Sequence, residues 1–243
     1  MQDKNKIEVC FTPAIFDVFE NPEAIVVIVD ILRATSAICT AFMNGVRRII
    51  PVATLEEAQS FKNKGYMVAA ERDGIVRDFA DFGNSPFNFT AGRIAGKEIV
   101  YSTTNGTNSI MLAKNHFRVL IGSYLNISAI AEYVISKKRD LLILCAGWKN
   151  KFNLEDTLFA GALSDLVRAN DGFYTICDST VAAMDIWSMA RSDLLGYVEK
   201  TAQRHRLKKN MLDDVIEYCH TFDQTRIIPA LKDTYLVKLD ELE

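Results

Sequence analysis

The chain has 243 residues, and its 28 Lys and Arg against 31 Asp and Glu give a formal net charge of −3 at pH 7. Hydrophobic residues make up 49% and charged residues 24%, with only 12 Gly and 5 Pro, which excludes a disordered or collagen-like chain. The slight acidity argues against a nucleic-acid-binding protein, because neutralising phosphates takes clustered Lys and Arg.

Cysteine and histidine usage gives no sign of a disulfide framework or a zinc site. The five cysteines are odd in number and widely spaced, and the three histidines lack metal-ligand spacing. The polar start of the chain resembles no secretory signal, and no apolar run is long enough to cross a bilayer. We therefore expect a cytoplasmic protein that binds neither membrane nor nucleic acid. Its oligomeric state is not readable from the sequence, and a homo-oligomer stays open.

In chain order, apolar runs of strand length alternate with amphipathic stretches. The predicted strands are residues 7–11, 25–30, 47–52, 67–70, 98–101, 118–121 and 140–145. The predicted helices are residues 36–43, 54–64, 105–115, 126–137 and 154–169, with caps at Thr54, Ser85 and Asn153. Uninterrupted apolar runs such as 25–29 indicate parallel strands that helices cover on both faces.

After about residue 172 the pattern becomes mainly helical. Helices are predicted at 181–190, 194–203 and 210–222, with a last strand at 235–239. No Pro-, Gly- or Ser-rich linker divides the chain. The sequence therefore predicts one α/β domain over residues 1–243, a three-layer α/β/α sandwich with a largely parallel or mixed sheet and a mainly helical C-terminal part at about 173–243.

Polar segments follow four of the predicted strands. Ligands of open α/β sheets bind beyond the carboxyl ends of the strands, so we expect these segments along one edge of one sheet. They contain the candidate residues Asp30, Arg33, Thr35, Ser36, Glu71, Arg72, Asn84, Ser85, Thr103, Thr104, Asn105, Gly106, Glu155 and Asp156.

The chemistry of these groups favours an anionic substrate and a hard metal ion. Carboxylates without nearby Cys or His favour Mg²⁺, Mn²⁺ or Ca²⁺ over zinc. Arg33 and Arg72 suit phosphate, sulfonate or carboxylate, and backbone N–H groups at Thr103–Thr107, and at Thr35 and Ser36, could cradle anions. Together they indicate a phosphate ester.

Each segment also has a purely structural interpretation. Asp30 could cap a turn, Glu71 and Arg72 could form a surface ion pair, and residues 103–107 could be an ordinary helix start.

The chain lacks GxGxxG, GxxxxGK[ST], a DxD pair at Asp30 and GxSxG, which argues against dinucleotide-binding, P-loop, haloacid-dehalogenase-type and serine-hydrolase sites.

The order of the polar segments resembles the 2-phosphosulfolactate phosphatase (ComB-like) family. The matching segments are residues 29–36, 71–72 with 82–86, 103–107, and 145–147 with 154–156. The resemblance spans about residues 25–165 and implies a ComB-like fold. It also implies a Mg²⁺-dependent phosphatase that converts 2-phospho-3-sulfolactate into 3-sulfolactate and inorganic phosphate, a step towards coenzyme M.

The resemblance implies roles for individual residues. Asp30, Glu71 and Asp156 would hold Mg²⁺, with Asp30, Arg33 and Glu71 catalytic. The other predicted substrate contacts are Thr35, Ser36, Arg72, Asn84, Ser85, Thr103, Thr104, Asn105 and Gly106.

Several alternatives stay open at this point. Glu155 could replace Asp156 as a metal ligand, and the attacking group could be Asp30 or a metal-bound water. The substrate could be another small phosphorylated 2-hydroxy acid. The chain could also be an anion-binding α/β protein without turnover.

Overall fold

One mixed sheet runs through the computed structural model, which describes residues 4–19 and 21–243. Its strands are β1 (Asn5–Cys10), β2 (Ile25–Val29), β3 (Arg48–Pro51), β4 (Met67–Arg72), β5 (Ile75–Val76), β6 (Glu98–Ser102), β7 (Arg118–Gly122), β8 (Leu141–Cys145), β9 (Phe173–Tyr174), β10 (Pro229–Lys232) and β11 (Tyr235–Lys238). Their order across the sheet is β5-β4-β6-β3-β11-β10-β7-β2-β8-β1-β9. Seven predicted strands in the first 145 residues and the predicted last strand are confirmed.

Helices connect most of these strands. They are α1 (Ala34–Met43), α2 (Leu55–Asn63), α3 (Ala91–Ile94), α4 (Gly106–Leu112), α5 (Ile127–Lys137), α6 (Leu154–Arg168), α7 (Asp178–Ala190), α8 (Leu194–Val198), α9 (Ala202–Lys209) and α10 (Ile216–Cys219). The predicted capping box is confirmed, because the Thr54 side chain accepts from the Glu57 amide and the Glu57 carboxylate accepts from the Thr54 amide. Within the described residues, no helix combines the length and apolar character needed to cross a membrane.

Two blocks of parallel strands make up the sheet. One block is β4-β6-β3, and the other is β7-β2-β8-β1-β9. The antiparallel hairpin β10-β11 lies between them and pairs with β7 on one side and β3 on the other. The α/β sandwich with a mixed, largely parallel sheet is thus confirmed. The C-terminal part is not only helical, since it supplies the hairpin that joins the blocks.

The central strands are buried on both faces. In β2, Ile25, Val27 and Val29 belong to a core with α5 and α6, whereas Val26 and Ile28 belong to a second core with α1 and α4. Both faces of the strand are therefore apolar, which explains its uninterrupted run of Ile and Val.

Two helix predictions in the C-terminal part were wrong. The predicted helix 194–203 is divided into α8 and α9, because the Thr201 side chain accepts from the Arg204 amide and starts a new helix there. The predicted helix 210–222 is reduced to a 3-10 turn at Asp213–Val215 and the short α10. Met211 has a φ of 53°, a left-handed conformation that interrupts a right-handed helix.

Candidate active site

A cavity of about 240 Å³ lies where the loops after β2 and β4 meet. Asp30, Arg33, Glu71, Asn84 and Asn105 are among the residues that line it. In a flat sheet, the six strand spacings from β4 to β2 would separate these loops by about 29 Å. Three antiparallel pairings between the blocks also make β4 and β2 run in opposite directions.

The two loops nevertheless meet at the cavity, and α1 and α4 lie in a core shared by both blocks. The same core contains Ile28 of β2, Ile99 of β6, Phe42 of α1 and Ile110 of α4. The expectation that the polar segments share one edge of a parallel sheet was wrong in this respect. They come from two oppositely directed blocks and still meet at one cavity.

Asp30 stands at the end of β2, in a turn that leads into α1. Its amide donates to Thr35 Oγ1 (3.1 Å), and the Thr35 amide donates to the Asp30 carbonyl (2.9 Å). Burial, together with the nearby Asp156 and Glu71 carboxylates, raises the pKa of Asp30 well above its ordinary value. The Ala34 amide and the Arg33 guanidinium oppose that rise in pKa. A cation in the cavity would relieve the same repulsion.

Arg33 precedes α1, follows a cis Leu32–Arg33 peptide bond, and is 4% exposed. Burial lowers its pKa, while Glu71 raises it. No ion pair involves Arg33 among residues 4–19 and 21–243. A buried guanidinium without a carboxylate partner, in the wall of a cavity, is suited to bind an anion.

Glu71 connects the loops that follow β4 and β6. Its Oε1 accepts from the Thr104 amide (2.8 Å) and hydroxyl (3.1 Å), and its Oε2 accepts from the Gly74 amide (2.6 Å). These donors hold the carboxylate in one orientation at the cavity wall. The predicted substrate contact of Thr104 is therefore replaced by a contact with Glu71.

Asp156, in the first turn of α6, connects the loop after β2 with the loop between β8 and α6. Its Oδ1 accepts from the Ile31 amide (2.9 Å), and its Oδ2 accepts from the Gly147 amide (3.2 Å) and Asn153 Nδ2 (2.9 Å). Burial and the neighbouring Glu155 raise the pKa of Asp156 to about 8. Asn153 precedes α6 without capping it through its side chain, which instead donates to Asp156 and Glu155.

The predicted metal set is only partly assembled. Asp30 and Glu71 line the cavity, whereas Asp156 is not among the residues that line it in the described chain. Throughout the described ranges, 4–19 and 21–243, no three His, Cys, Asp or Glu side chains are close enough to hold one metal ion. Both oxygens of Asp156 accept hydrogen bonds from the protein, and the geometry gives its predicted metal role no support.

Asn84 adds a third oxygen that could serve as a metal ligand at the cavity. It is 8% exposed, and its Oδ1 is buried without a hydrogen-bond partner in the part of the chain that the structure describes. Together with the carboxylates of Asp30 and Glu71, it offers the hard oxygen ligands that Mg²⁺ prefers. These residues fit a magnesium ion.

Three predicted substrate contacts bond to the protein itself. The Thr35 hydroxyl accepts from the Asp30 amide, and the Ser36 hydroxyl donates to the Ile31 carbonyl (2.9 Å). The Arg72 guanidinium donates to the Glu71 carbonyl (2.7 Å) and Ser102 Oγ (3.0 Å). None of the three lines the cavity in the described ranges, and the geometry gives their predicted roles no support.

Ser85 also lies outside the residues that line the cavity in the described chain. It is the N-cap residue of a 3-10 turn at Pro86–Asn88 with Pro86 in the first turn, as predicted, although its side chain makes no capping bond.

The segment after β6 is largely engaged in its own turn. The Thr103 hydroxyl accepts from the Thr107 amide (3.3 Å), and the Thr103 amide donates to the Thr107 hydroxyl (3.3 Å). Asn105 lines the cavity, and its Oδ1 accepts from the Lys149 amide (3.0 Å). Within the predicted anion-binding segment at residues 103–107, Asn105 thus has direct access to the cavity.

Gly106 allows α4 to approach Asp30 closely. A Cβ atom at this position would lie 2.8 Å from Ala34 Cβ and 3.1 Å from Asp30 Oδ2. We expect Gly106→Ala to displace α4 from α1, to lower the free energy of unfolding by about 1–3 kcal/mol, and to reduce kcat/KM. Denaturant unfolding and steady-state kinetics would measure both changes. Gly92→Ala is the matched control, since nothing lies within 4 Å of a Cβ there; equal losses in both variants would contradict the steric argument.

Sequence reasoning missed several residues that line the cavity. Trp148 and Lys149 directly follow the recognised segment 145–147, so proximity to that segment was a usable signal. Gln203, Arg206 and Lys209 come from α9. The basic run at residues 204–209 is visible in the sequence, but such runs more often form solvated helix ends, and only the packing of the C-terminal part brings this helix to the cavity.

Fold and cavity together define an α/β protein with a cavity that combines carboxylates with Arg and Lys side chains. A family model described as 2-phosphosulpholactate phosphatase matches residues 10–234. Three relatives carry the name "Probable 2-phosphosulfolactate phosphatase". The relative from Thermotoga maritima is 37% identical to this chain over 84% of this chain and 88% of the relative. The relative from Caldanaerobacter subterraneus subsp. tengcongensis is 33% identical over 86% of this chain and 88% of the relative. The relative from Gloeobacter violaceus is 34% identical over 87% of this chain and 93% of the relative. The chain belongs to the 2-phosphosulfolactate phosphatase family and is a phosphoric monoester hydrolase.

Proposed function

We propose that the protein hydrolyses 2-phospho-3-sulfolactate to 3-sulfolactate and inorganic phosphate and depends on Mg²⁺. The observation that carries the proposal is the pairing of oxygen donors with cations in one cavity. The carboxylates of Asp30 and Glu71 face the same space as the guanidinium groups of Arg33 and Arg206 and the ammonium group of Lys209. A substrate with phosphate, sulfonate and carboxylate groups needs several cations, and its phosphoryl group needs a metal-binding site.

The residues that would hold Mg²⁺ are Asp30 and Glu71, with the amide oxygen of Asn84. When bound, the ion supplies positive charge to the phosphoryl oxygens. Gly74 and Thr104 hold the Glu71 carboxylate in place through their donated hydrogen bonds. Asp156 positions the Asp30 turn by accepting from the Ile31 amide.

Arg33 would bind the phosphoryl oxygens as the P–O ester bond breaks, because its guanidinium adjoins Asp30 and lacks a carboxylate partner among the described residues. Two routes of attack agree with this arrangement. Either the Asp30 carboxylate attacks phosphorus and the resulting acyl phosphate is hydrolysed, or a water attacks phosphorus directly. Both release 3-sulfolactate, which, as the family resemblance implies, belongs to a route towards coenzyme M.

Phosphate release from a panel of esters tests the proposal. The panel contains 2-phospho-3-sulfolactate, 2-phospholactate and 2-phosphoglycerate, each with Mg²⁺ and with EDTA. We expect the sulfonated ester to be the best substrate. Its turnover should fall at least tenfold in EDTA and return with added Mg²⁺, because the carboxylates then lose the ion that balances their charge.

Other results of this assay would overturn parts of the proposal. Faster hydrolysis of another 2-phospho acid would assign a different substrate. Full activity after exhaustive chelation would show that the reaction needs no metal ion. No release from any ester, with tight binding of 3-sulfolactate, would favour an anion-binding protein without turnover.

A further inference from the structure

Helix α9 forms a basic wall of the cavity. Gln203, Arg206, Leu207 and Lys209 all line the cavity, although the helix lies more than 45 residues beyond Asp156 in the chain. Arg206 and Lys209 are three positions apart, so they lie on one face of the helix. This part of the chain thus contributes cations to a site whose carboxylates come from the first half.

Arg206 is held in place by two contacts. Its guanidinium carbon lies 4.3 Å from the centroid of the Trp148 ring, in a cation–π arrangement. Its Nε donates to Gln203 Oε1 (2.7 Å), and Gln203 Nε2 donates to the Leu32 carbonyl (2.8 Å). Gln203 therefore connects Arg206 to the loop that carries Arg33, and the two guanidinium groups are positioned relative to each other.

The terminal nitrogens of Arg206 are free to bind a ligand. Within residues 4–19 and 21–243, the Arg206 side chain makes no ion pair, and its one hydrogen bond is that from Nε to Gln203. The buried Glu155 carboxylate attracts the guanidinium without forming an ion pair. Lys149, by comparison, already pairs with Asp73 at 2.7 Å.

We propose that Arg206, supported by Lys209, binds the sulfonate of the substrate and determines the preference for a sulfonated over a plain 2-phospho acid. The inference rests on the proposed function and extends it to named residues. Arg33 adjoins the reacting group at Asp30, whereas Arg206 comes from another element and is connected to Arg33 through Gln203. A planar guanidinium with free N–H groups matches two sulfonate oxygens.

Kinetics on a pair of substrates tests this role. We expect Arg206→Met to lower kcat/KM at least tenfold for 2-phospho-3-sulfolactate and less than twofold for 2-phospholactate, which lacks the sulfonate. Arg206→Lys should recover part of the loss. The matched control is Lys208→Met, an exposed cation on the same helix that does not line the cavity in the described chain. Equal losses on both substrates would overturn the inference, because they would show a structural role.

A binding measurement separates this inference from the proposed function. The chain has two tryptophans, so in a Trp187→Phe background Trp148 beneath Arg206 reports alone. We expect 3-sulfolactate to change Trp148 fluorescence, and Arg206→Met to weaken 3-sulfolactate binding at least tenfold. Lactate, which lacks the sulfonate, is the control ligand. If the wild-type protein hydrolyses no ester, the proposed function fails, and this titration still decides the role of Arg206. Unchanged affinity of the Arg206→Met variant for 3-sulfolactate would overturn the proposed role of Arg206.

Discussion

Asp30→Asn is expected to lower kcat for phosphate release on the order of 1000-fold or more, as removal of a group at the reacting centre does in other hydrolases. The substitution keeps the shape of the side chain but removes its negative charge. An amide neither attacks phosphorus nor balances the charge of a bound cation. Rapid-quench and steady-state measurements of phosphate release with Mg²⁺ would provide the test.

The same variant should be at least as stable as the wild-type protein. Burial and two neighbouring carboxylates raise the pKa of Asp30. An acid whose pKa is higher in the folded than in the unfolded state destabilises the fold increasingly as the pH rises above its unfolded pKa. Asn carries no charge to desolvate, so in EDTA at pH 7 the variant should unfold at an equal or higher denaturant concentration.

Two observations would contradict the role of Asp30. Near-normal turnover in the variant would remove Asp30 from the reaction, and a lower unfolding midpoint would explain lost activity by misfolding. Asp165→Asn is the matched control, because Asp165 lies exposed on α6. A burst of protein-bound phosphate in the wild type, absent from Asp30→Asn, would support attack by the carboxylate.

Arg33→Ala is expected to lower kcat/KM by about 100-fold, the size of effect that loss of one electrostatic stabiliser produces. Arg33 is 4% exposed, and its charge acts on the pKa of Asp30 while that of Glu71 acts on the pKa of Arg33. Arg33→Lys keeps a charge but loses the planar fork, so we expect at least a tenfold loss, about 1.4 kcal/mol of transition-state stabilisation.

Kinetics with 2-phospho-3-sulfolactate and with 2-phospholactate would separate Arg33 from Arg206. Because Arg33 is assigned to the phosphoryl group, its substitution should affect both esters equally. A loss confined to the sulfonated ester would instead assign Arg33 to the sulfonate. Arg191→Ala, at an exposed position after α7, is the control and should retain wild-type activity.

Some elements were predictable because their causes are local. The boundaries of β2 follow from an apolar run that both cores require, and the start of α2 follows from the reciprocal bonds of Thr54 and Glu57. Asp30, Glu71 and Asn84 were identified as site candidates because each follows a strand or a recognised segment. The two-residue strands β5 and β9 are too short to carry a periodic signal.

Other features depend on contacts between distant parts of the chain. Whether a carboxylate faces a cavity or accepts backbone hydrogen bonds depends on which loops pack beside it, as the contrast between Asp30 and Asp156 shows. The same holds for Arg72, whose guanidinium is engaged by the protein, and for Arg206, whose terminal nitrogens are free among the described residues.

Residue type and spacing were enough to establish the α/β class, most strands and the oxygen-rich, arginine-containing chemistry of the site. Long-range packing alone established the meeting of two opposed blocks of strands at one cavity, the central position of the C-terminal hairpin and the position of α9 beside the cavity. The physical reason is the distance along the chain over which each kind of interaction acts. Burial periodicity and caps act over a few neighbouring residues, whereas strand order and side-chain partners depend on segments more than a hundred residues apart.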